Sequence, residues 1–391
     1  MLIDRLVSPS SPDEPLKFEQ LPPSHPLYIL YSSGTTGLPK AIVHTALGTL
    51  IQHKKEHVLH CSLGAGSRML YYTTTSWMMW HWSVSALACG AELVLYSGSP
   101  FRPHGHLSLP RLLASLKVTH FGTSAAYLTA LETHGVRPAE SLDLSRLQAI
   151  YSTASPLPPS TFSFVYDGAF PAHANLASIT GGTDIISLFG APCPLLPVHA
   201  GEVQCAGLGM AIAVADPATG EPVPAGEDGE LVCLRPFPCQ PLTFWGPDGD
   251  ARYRASYFER FEGLPGGRLV WHHGDFVRAD PRTGGLAMLG RSDGVLKPAG
   301  VRFGSAEIYN ALARRLAPEI DDAVCVGRRR PDRDTDESVC LFVVLRDGVR
   351  FTDDLRTRIR DVIRSELSPR HVPAIVEECG GGIPVTANGK K

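Results

Sequence analysis

The chain has 391 residues, of which 43% are hydrophobic and 19% are charged, and its formal net charge is -3. This composition is typical of a globular protein and allows two or more domains. A chain with so small a net charge has no general attraction for nucleic acid or for an anionic membrane, so neither is an expected partner. Any anion would have to be bound by a local site.

The cysteines and the N-terminus bear on the cellular compartment. Nine cysteines are scattered without a Cys-x-x-Cys pair, so neither a disulfide framework nor a zinc ribbon is predicted. The residues after Met1 form no apolar signal-peptide core, and the Trp-rich run 77–96 is interrupted by His81 and Glu92. We therefore expect reduced thiols, no membrane span and a cytoplasmic location.

The predicted elements begin after a tail or linker at residues 1–26, which are rich in Pro, Ser and acidic residues. The apolar run 27–31 predicts a buried strand. A helix is predicted downstream from the helical spacing of Ile42, Val43, Ala46, Leu47, Leu50 and Ile51. Further apolar runs predict strands at 91–96, 118–122, 147–152 and 230–234. Together these patterns indicate an α/β core domain, with some mainly β segments, over residues 27–290.

The pattern changes at residues 290–294, Gly-Arg-Ser-Asp-Gly. From there the sequence predicts, in order, helix 306–316, strand 323–327, strand 338–345 and helix 353–367. We interpret residues 291–391 as a small second α/β domain. Gly and Asp at the boundary suit a hinge, and a simple surface turn fits them as well. The charged segment 328–334 is interpreted as a solvated loop, with a phosphate contact as the alternative.

The segment between the first strand and the first helix has the residue types that bind a polyphosphate. Gly34 and Gly37 let backbone N–H groups approach phosphate oxygens, and Lys40 adds a positive charge. Neutral donors are the hydroxyls of Ser32, Ser33, Thr35 and Thr36. The segment 32–40 is not a Walker A loop, because Pro39 stands where that motif has a glycine. The alternative is an ordinary Ser/Thr/Gly turn.

Other segments follow this loop in a set order. They are Tyr72-Thr-Thr-Thr-Ser-Trp-Met-Met-Trp80, Ser152-Thr-Ala-Ser-Pro-Leu157, Ser178-Ile-Thr-Gly-Gly-Thr-Asp184, His273-Gly-Asp275, Gly290-Arg-Ser-Asp293, Leu296-Lys-Pro-Ala-Gly-Val-Arg-Phe-Gly304 and Ile383-Pro-Val-Thr-Ala-Asn-Gly-Lys390. Jointly they resemble the adenylate-forming, or AMP-binding, superfamily of acyl-CoA synthetases, adenylation domains and luciferases. Within it, the segments are most similar to the acetoacetyl-CoA synthetase branch. The resemblance spans residues 28–391.

The resemblance implies a large adenylate-forming core domain followed by a small mobile C-terminal lid domain. The implied activity is that of an acid–CoA ligase. ATP and Mg²⁺ would activate acetoacetate, or a similar short acid, to an acyl-adenylate that then forms a thioester with CoA, releasing AMP and pyrophosphate. Two alternatives stay open: an adenylating enzyme with a non-CoA acceptor, and a catalytically impaired fragment that binds only nucleotide or a partner chain.

The resemblance also implies roles on the phosphate side of the nucleotide. Lys40 and the loop hydroxyls would hold the β- and γ-phosphates, which leave as pyrophosphate. After Gly182, Thr183 would donate to the substrate carboxylate or to the α-phosphate. Asp184 would bind Mg²⁺ through a carboxylate oxygen. The alternative for Thr183 and Asp184 is a helix N-cap.

On the nucleoside side, Asp275 would accept hydrogen bonds from both ribose hydroxyls, and Arg291 would reach the same sugar. The adenine would pack near Ala154, Ser155 and Pro156, where relatives usually carry a glycine at position 154. Neighbouring His272 and His273 should point to opposite faces of an extended segment. We therefore interpret these two histidines as packing or surface residues and not as metal ligands.

The remaining implied residues belong to the acid pocket and to the lid. Trp77 would line the acid pocket and Met78 and Met79 would shape its floor, although such a cluster is also typical of a protein core. On the lid side, Arg302 would approach the α-phosphate, Gly300 would leave room for the pantetheine of CoA, Asp293 would be the hinge and Lys390 would be the adenylation lysine.

Relatives in this superfamily carry a long portion before the phosphate loop and several elements after the lysine. In this chain the loop starts at residue 32, and only Lys391 follows Lys390. We expect apolar edges and faces to be exposed, which would favour pairing with a complementary N-terminal chain if the enzyme is split. Holding Lys390 in a catalytic position so near a terminus would cost conformational entropy.

Overall fold

The computed structural model describes residues 17–32, 39–262, 269–292, 295–296, 303–328, 330, 333 and 337–384. Its strands are β1 (Pro26–Ser32), β2 (Lys40–Thr45), β3 (Arg68–Tyr71), β4 (Glu92–Leu93), β5 (His120–Ser124), β6 (Ala149–Thr153), β7 (Asn175–Ser178), β8 (Thr180–Gly182), β9 (Ser187–Ala191), β10 (Glu202–Val203), β11 (Cys205–Ala206), β12 (Ile212–Ala215), β13 (Asp228–Cys233), β14 (Thr243–Phe244), β15 (Trp271–Ala279), β16 (Leu286–Arg291), β17 (Val295–Leu296), β18 (Phe303–Gly304), β19 (Ile320–Arg328), β20 (Ser338–Leu345) and β21 (Ile375–Glu378). Its α-helices are α1 (Ala46–Lys55), α2 (Met78–Val84), α3 (Ser108–Ser115), α4 (Ala125–Thr133), α5 (Pro159–Phe164), α6 (Gly249–Tyr257), α7 (Ser305–Arg315) and α8 (Asp353–Glu366).

The first strand lies where the apolar run predicts it, but the prediction that it is buried was wrong, because β1 is an edge strand and only Leu30 is buried. The expected helix begins later than its periodicity indicates. Residues 40–45 form β2, which pairs antiparallel with β1 and with β14. Ile42 and Val43 are therefore buried in a strand, and the helix starts only at Ala46. The prediction was wrong here because β-branched residues happened to have helical spacing, and pairing on both sides favours the strand. The phosphate loop thus connects two strands.

A five-stranded parallel sheet, in the order β4-β3-β5-β6-β7, forms the centre of the core domain. Phe121, Ile150 and Leu176, on its three successive strands, are completely buried and pack with residues of α3, α4 and α5. The opposite face is also buried, as expected for parallel strands covered on both sides. The strand predicted at 91–96 is reduced to Glu92–Leu93, because this edge strand pairs only with β3.

Antiparallel strands pack beyond the other face of this sheet. They form a five-stranded sheet in the order β10-β16-β15-β13-β12 and a smaller sheet in the order β11-β9-β8. A large apolar cluster joins them to the parallel sheet and contains Trp82, Tyr151, Phe189 and Trp271. Strand β15, which carries Asp275, contributes Trp271 and Val277 to this cluster.

The C-terminal residues form a small sheet in the order β19-β20-β21, covered by α7 and α8 around a separate apolar core. The four predicted elements of this region are confirmed within three residues at each end. Helix α8 begins where Thr352 accepts a hydrogen bond from the N–H of Leu355, and Asp353 and Asp354 favour its first turn.

Apolar side chains are exposed on β1 and on the outer face of α1. Strand β1 is an edge of its sheet and exposes Leu27, Ile29 and Tyr31. Helix α1 exposes Leu50 and Ile51. Exposed apolar surface is thus found next to the phosphate loop, whereas the two faces of the parallel sheet, where we expected it, are buried. Across the described part of the chain, no helix has the length and apolar character needed to cross a membrane.

Candidate active site

The predicted phosphate-binding lysine lies beside the predicted metal ligand. Ser32 at the end of β1 pairs with Lys40 at the start of β2, which fixes Lys40 at the mouth of the loop. The Nζ atom of Lys40 lies 3.5 Å from Oδ1 of Asp184 and 4.7 Å from the centre of the Tyr257 ring. The hydroxyl of Tyr257 donates a hydrogen bond to the same carboxylate oxygen. Three separate parts of the chain therefore meet at Asp184.

The surroundings of Asp184 keep its carboxyl group ionised. Burial opposes the charge, but His273, Lys40, Tyr257 and Arg291 favour it, and the pKa of Asp184 is held below its usual range. Burial and the neighbouring carboxylate raise the pKa of Tyr257, so its hydroxyl stays a donor. The Asp184 side chain is still 21% exposed, which leaves it accessible to a ligand.

The donor set around Asp184 fits Mg²⁺ that takes most of its ligands from phosphate and water. Oδ1 of Asp184 contacts Lys40 and Tyr257, whereas Oδ2 accepts no hydrogen bond from the residues that the structure describes. Among those residues, no group of three or more His, Cys, Asp or Glu side chains could hold a metal ion. Mg²⁺ commonly binds to one or two carboxylates together with substrate phosphates, so a single aspartate is suitable.

Thr183 and Asp184 lie in a tight turn between β8 and β9. The N–H of Ile185 donates to the carbonyl of Gly182, and the N–H of Ile186 donates to that of Thr183, both at 3.2 Å. The turn leads into a strand, so the alternative of a helix N-cap is wrong. Ile186 closes the turn with φ of 49°, a left-handed conformation that is rare for a β-branched residue.

Asp275 and Arg291 form an ion pair across two strands. They are register partners on β15 and β16, and Nη1 of Arg291 donates to Oδ1 of Asp275 at 2.8 Å. Asp275 is only 6% exposed, whereas the Arg291 side chain is 54% exposed. The buried carboxylate thus anchors an arginine that still reaches solvent, and the pair can offer both an acceptor and a cation to a ligand.

His273 fills the space between this ion pair and the turn that carries Asp184. Its Nε2 lies 3.6 Å from Oδ2 of Asp275, and a methyl group on Gly182 would lie 3.6 Å from the ring. Trp271 donates to Nδ1 at 3.4 Å, and an indole N–H can only donate, so the proton of the neutral ring is on Nε2. Burial lowers the pKa of His273, although Asp275 and Asp184 oppose this effect. His273 is therefore a packing residue within the site.

The neighbouring histidine has different surroundings. His272 lies 3.2 Å from a buried carboxylate oxygen of Glu230 and packs against Phe261. Ser292 donates to the same oxygen. The prediction that His272 and His273 point to opposite faces is confirmed, because they contact separate sets of residues.

The conformation of Gly274 explains why the residue between His273 and Asp275 is a glycine. Its φ is 81°, in the left-handed region, and a methyl group built on it would lie 2.7 Å from Nη2 of Arg291. An L side chain here would both strain the backbone and displace the arginine. The glycine therefore avoids backbone strain and leaves the guanidinium of Arg291 in its position beside Asp275.

Ala154 has the conformation of a glycine, with φ of 80°. It follows β6, is half-buried and packs against the large apolar cluster, while Ser155 and Pro156 after it are exposed. The glycine that is usual at this position in the resembling family has a physical reason, because the left-handed region disfavours a Cβ atom. Within the described chain, no hydrogen bond or ion pair links these three residues to Asp184 or Asp275, and their adenine role stays a prediction.

The predicted acid-pocket residues lie in the core. Trp77, Met78 and Met79 are 8%, 4% and 1% exposed and belong to the large apolar cluster. Trp77 makes an edge contact with Tyr71, with ring centres 6.3 Å apart. The core interpretation is confirmed, and the pocket role stays a prediction.

The sequence matches the description "AMP-binding enzyme" over residues 3–238 and "AMP-binding enzyme C-terminal domain" over residues 310–390. The chain belongs to the AMP-binding enzyme family. Its architecture is that of a large adenylate-forming core with a small C-terminal domain.

Individual relatives of this family agree over nearly the whole chain. The malonamoyl-CoA synthetase of Penicillium aethiopicum is 51% identical over 96% of this chain and 51% of its own length. The acetoacetyl-CoA synthetase of Gallus gallus is 49% identical over 96% of this chain and 54% of its own length. The structure of acetoacetyl-CoA synthetase from Streptomyces lividans superposes with a TM-score of 0.86 and 44% identity, covering 97% of this chain and 56% of that one. The chain spans about half the length of the relatives that it matches.

Several predicted family residues lie outside the described part of the chain. They are Ser33, Gly34, Thr35, Thr36 and Gly37 of the loop, the hinge residue Asp293, and Gly300, Arg302 and Lys390. Their roles stay predictions.

The sequence reasoning missed Tyr257 and Glu56. Tyr257 is at the end of α6, among other aromatic residues, and its position in the sequence gives no sign that it reaches Asp184. Glu56 follows α1 and is completely buried, where it accepts hydrogen bonds from several elements. A single acidic residue between His53 and His57 was a weak signal, because an exposed helix face also carries such residues.

Proposed function

We propose that this chain carries the nucleotide site of an acid–CoA ligase. The reaction uses ATP and Mg²⁺ to convert a short acid to an acyl-adenylate, releases pyrophosphate, and transfers the acyl group to CoA with release of AMP. One observation carries the proposal: Lys40, Asp184 and the Asp275–Arg291 pair come from distant parts of the sequence and surround one accessible point. Membership in the AMP-binding family supports the same reading.

Each of these groups suits one part of the nucleotide. Lys40 contributes a positive charge to the β- and γ-phosphates and exchanges its contact with Asp184 for a contact with them. Asp184 contributes one carboxylate oxygen to Mg²⁺, which supplies charge neutralisation at the phosphates when bound. Asp275 accepts hydrogen bonds from the ribose hydroxyls. Because Arg291 donates to the Asp275 carboxylate, its guanidinium is placed to contact the same sugar. Thr183 donates to the acid carboxylate or to the α-phosphate.

The residues outside the described ranges complete the proposed reaction. Arg302 offsets charge at the α-phosphate during attack, and Lys390 bridges the carboxylate and phosphate as the two anions approach. Gly300 leaves space for the thiol of CoA. We propose residues 27–290 as the core domain, and residues 291–391 as a lid that rotates about Asp293 between adenylation and thioester formation. The reaction needs ATP and CoA, and the cytoplasm is the proposed compartment.

The acid is proposed to be acetoacetate, with malonamate as a second candidate. Relatives of nearly equal identity are named for the CoA thioesters of these two acids. The acids have similar size, but malonamate has an amide NH₂ group where acetoacetate has a methyl group. A pocket that leaves the NH₂ group without an acceptor would favour acetoacetate, because an unpaired buried donor is costly. Both relatives are CoA synthetases, which favours CoA over another acceptor.

Pyrophosphate release with ATP and Mg²⁺ tests this function, with acetoacetate, malonamate and butyrate compared as acids. The proposal expects release that requires one of the first two acids and falls by roughly a hundred-fold or more in Lys390→Ala and Asp275→Ala. Lys54→Ala, which changes an exposed lysine of α1, is the control and should keep full activity. Folded protein that releases no pyrophosphate with any of the three acids would overturn the proposal.

A further inference from the structure

Glu56 is a completely buried carboxylate that connects three elements around the candidate site. It lies at the start of a π-helical turn, Glu56–His60, that continues α1. Its Oε1 accepts from Oγ of Ser187 at 2.5 Å and from the backbone N–H of Leu188 at 3.2 Å. Its Oε2 accepts from Nε1 of Trp82 at 2.8 Å. A buried carboxylate with donors on both oxygens holds those donors in fixed positions.

One side of this connection is the helix that carries the predicted acid-pocket residues. Trp82 lies on α2 together with Met78 and Met79, and Trp77 precedes the helix directly. The Trp82 side chain is completely buried and packs edge-on against Tyr71. Because the indole is fixed both by this packing and by Glu56, the rotation of α2 about its axis is tied to Glu56.

The other side is the turn that carries Thr183 and Asp184. Ile186 of this turn has φ of 49°, which costs free energy for a β-branched residue and persists only where the surroundings enforce it. The carbonyl of Ile186 accepts from Nε2 of His53 at 2.5 Å. Glu56, one turn along the same helix, holds the next two residues. Two side chains of one helix thus clamp this strained backbone.

We propose that Glu56 is a positioning residue that couples the acid-pocket helix to the turn of Thr183 and Asp184. The inference rests on the proposed function, because it assigns α2 to the acid and the turn to magnesium and ATP. The physical basis is that one carboxylate is shared: a shift of Trp82 moves Oε2, and Oε1 moves with it against Ser187. A substitution on α2 should therefore alter the turn of Thr183 and Asp184, and a substitution beside that turn should alter α2.

Amide hydrogen exchange tests the coupling without any need for activity. Trp82→Phe removes the indole donor, and Ser187→Ala removes the hydroxyl donor. We expect Trp82→Phe to speed exchange at residues 183–188, and Ser187→Ala to speed it at residues 78–84, by about ten-fold, the effect of one lost buried hydrogen bond. Changes confined to the mutated element would overturn the proposal. Glu56→Gln should speed exchange in both segments, and the two milder variants keep the test available if it does not fold.

A matched control is Thr161→Val. Thr161 is also a completely buried hydroxyl that donates to a carboxylate, that of Glu132, but it lies in α5. The Thr161→Val variant should leave amide exchange unchanged at residues 78–84 and at residues 183–188. If it speeds exchange there as much as Ser187→Ala does, general loosening explains the effect and the proposal fails.

Kinetics of pyrophosphate release then separate positioning from a general structural role. A structural role lowers the fraction of active enzyme, so kcat falls while both KM values stay constant. If Glu56 positions both sides, Ser187→Ala should raise the KM for the acid by about ten-fold. Trp82→Phe should raise the KM for ATP at fixed Mg²⁺ by a similar factor. If the unmodified chain releases no pyrophosphate, the proposed function fails, and the exchange experiment alone decides on the coupling.

Discussion

Tyr257 and Lys40 contact the same oxygen of Asp184, Tyr257 through its hydroxyl and Lys40 with its Nζ at 3.5 Å. The lysine also lies over the face of the Tyr257 ring. Lys40 and Tyr257 therefore both stabilise the negative charge of Asp184, and the Asp184 carboxyl group is ionised without a bound nucleotide. In the proposed function, Lys40 exchanges its contact with Asp184 for a contact with phosphate, while the hydrogen bond from Tyr257 to Asp184 can remain.

This arrangement predicts separate effects for the two neighbours of Asp184. Tyr257→Phe removes a donor to the carboxylate without removing its charge, so we expect the Mg²⁺ concentration for half-maximal pyrophosphate release to rise by about ten-fold, as for other residues that orient a metal ligand. The measurement is a Mg²⁺ titration at saturating ATP. Tyr253→Phe, a change of the same kind on the same helix, is the control, and an equal shift in that variant would contradict the role of Tyr257.

Lys40→Met removes the positive charge and should lower kcat/KM for ATP by roughly a hundred-fold, because a charge-assisted phosphate contact is lost. Asp184 also loses a cation that helps to hold its pKa down. The measurement is pyrophosphate release against ATP concentration. Exposed Lys54→Met serves as the control, and an unchanged kcat/KM in Lys40→Met would exclude Lys40 from phosphate binding.

Gly274→Ala should damage both nucleotide affinity and stability. The added methyl group would lie 2.7 Å from Nη2 of Arg291, and the residue would have to adopt a left-handed conformation. We expect the free energy of unfolding to fall by about 1–2 kcal/mol, and the KM for ATP to rise by about ten-fold as Arg291 moves. Urea unfolding and steady-state kinetics measure the two effects.

The matched control for this variant is Gly284→Ala. Gly284 also has a positive φ, of 72°, but a methyl group built on it meets no atom within 4 Å. It should lose a similar free energy of unfolding while the KM for ATP stays constant. If Gly274→Ala behaves like this control in both measurements, the contact with Arg291 is not important for the nucleotide.

The sequence predicts several core elements because apolar runs and helical spacing are local patterns, whereas the roles of the site residues come from the family resemblance and stay predictions. Apolar runs located β5 and β6 and part of β4, whereas β3 and β7 were not predicted. The turn at Thr183 and Asp184 was not predicted either, because the local sequence also fits a helix N-cap. The helix predicted from Ile42 was wrong, since its first residues pair with β1 and β14, and such long-range pairing leaves no local signal. Tyr257 and Glu56 were missed for the same reason: each acts through a partner more than seventy residues away.

Ala154→Gly should stabilise the protein, although glycine usually destabilises a fold. The alanine has φ of 80°, so its Cβ atom is in an unfavourable position that glycine avoids. Against this, glycine makes the unfolded chain more flexible. We expect the relief of strain to win by about 0.5–1 kcal/mol, seen as a higher urea midpoint with an unchanged slope. A lower midpoint would show that the methyl group contributes more through packing than it costs.

Stability should fall as the pH decreases from about 7 to about 4, and His120 should contribute to this loss. Burial lowers the pKa of His120 to about 4, although its hydrogen bond to the carbonyl of Cys61 opposes the shift. Below the ordinary histidine pKa of about 6.5, the unfolded chain binds a proton that the folded chain cannot bind until the pH reaches about 4. The free energy of unfolding therefore decreases in this window by up to about 1.4 kcal/mol per pH unit for this group.

His120→Gln removes the titrating group but keeps a side chain that can donate to Cys61. We expect urea unfolding between pH 7 and pH 4 to give a shallower dependence on pH for this variant than for the unmodified chain. Part of the slope should remain, because burial also lowers the pKa of His44 and of His57 to about 3. Exposed His199→Gln is the control and should keep the full slope. An equal slope in His120→Gln would mean that the ring of His120 is protonated as readily in the folded chain as in the unfolded one.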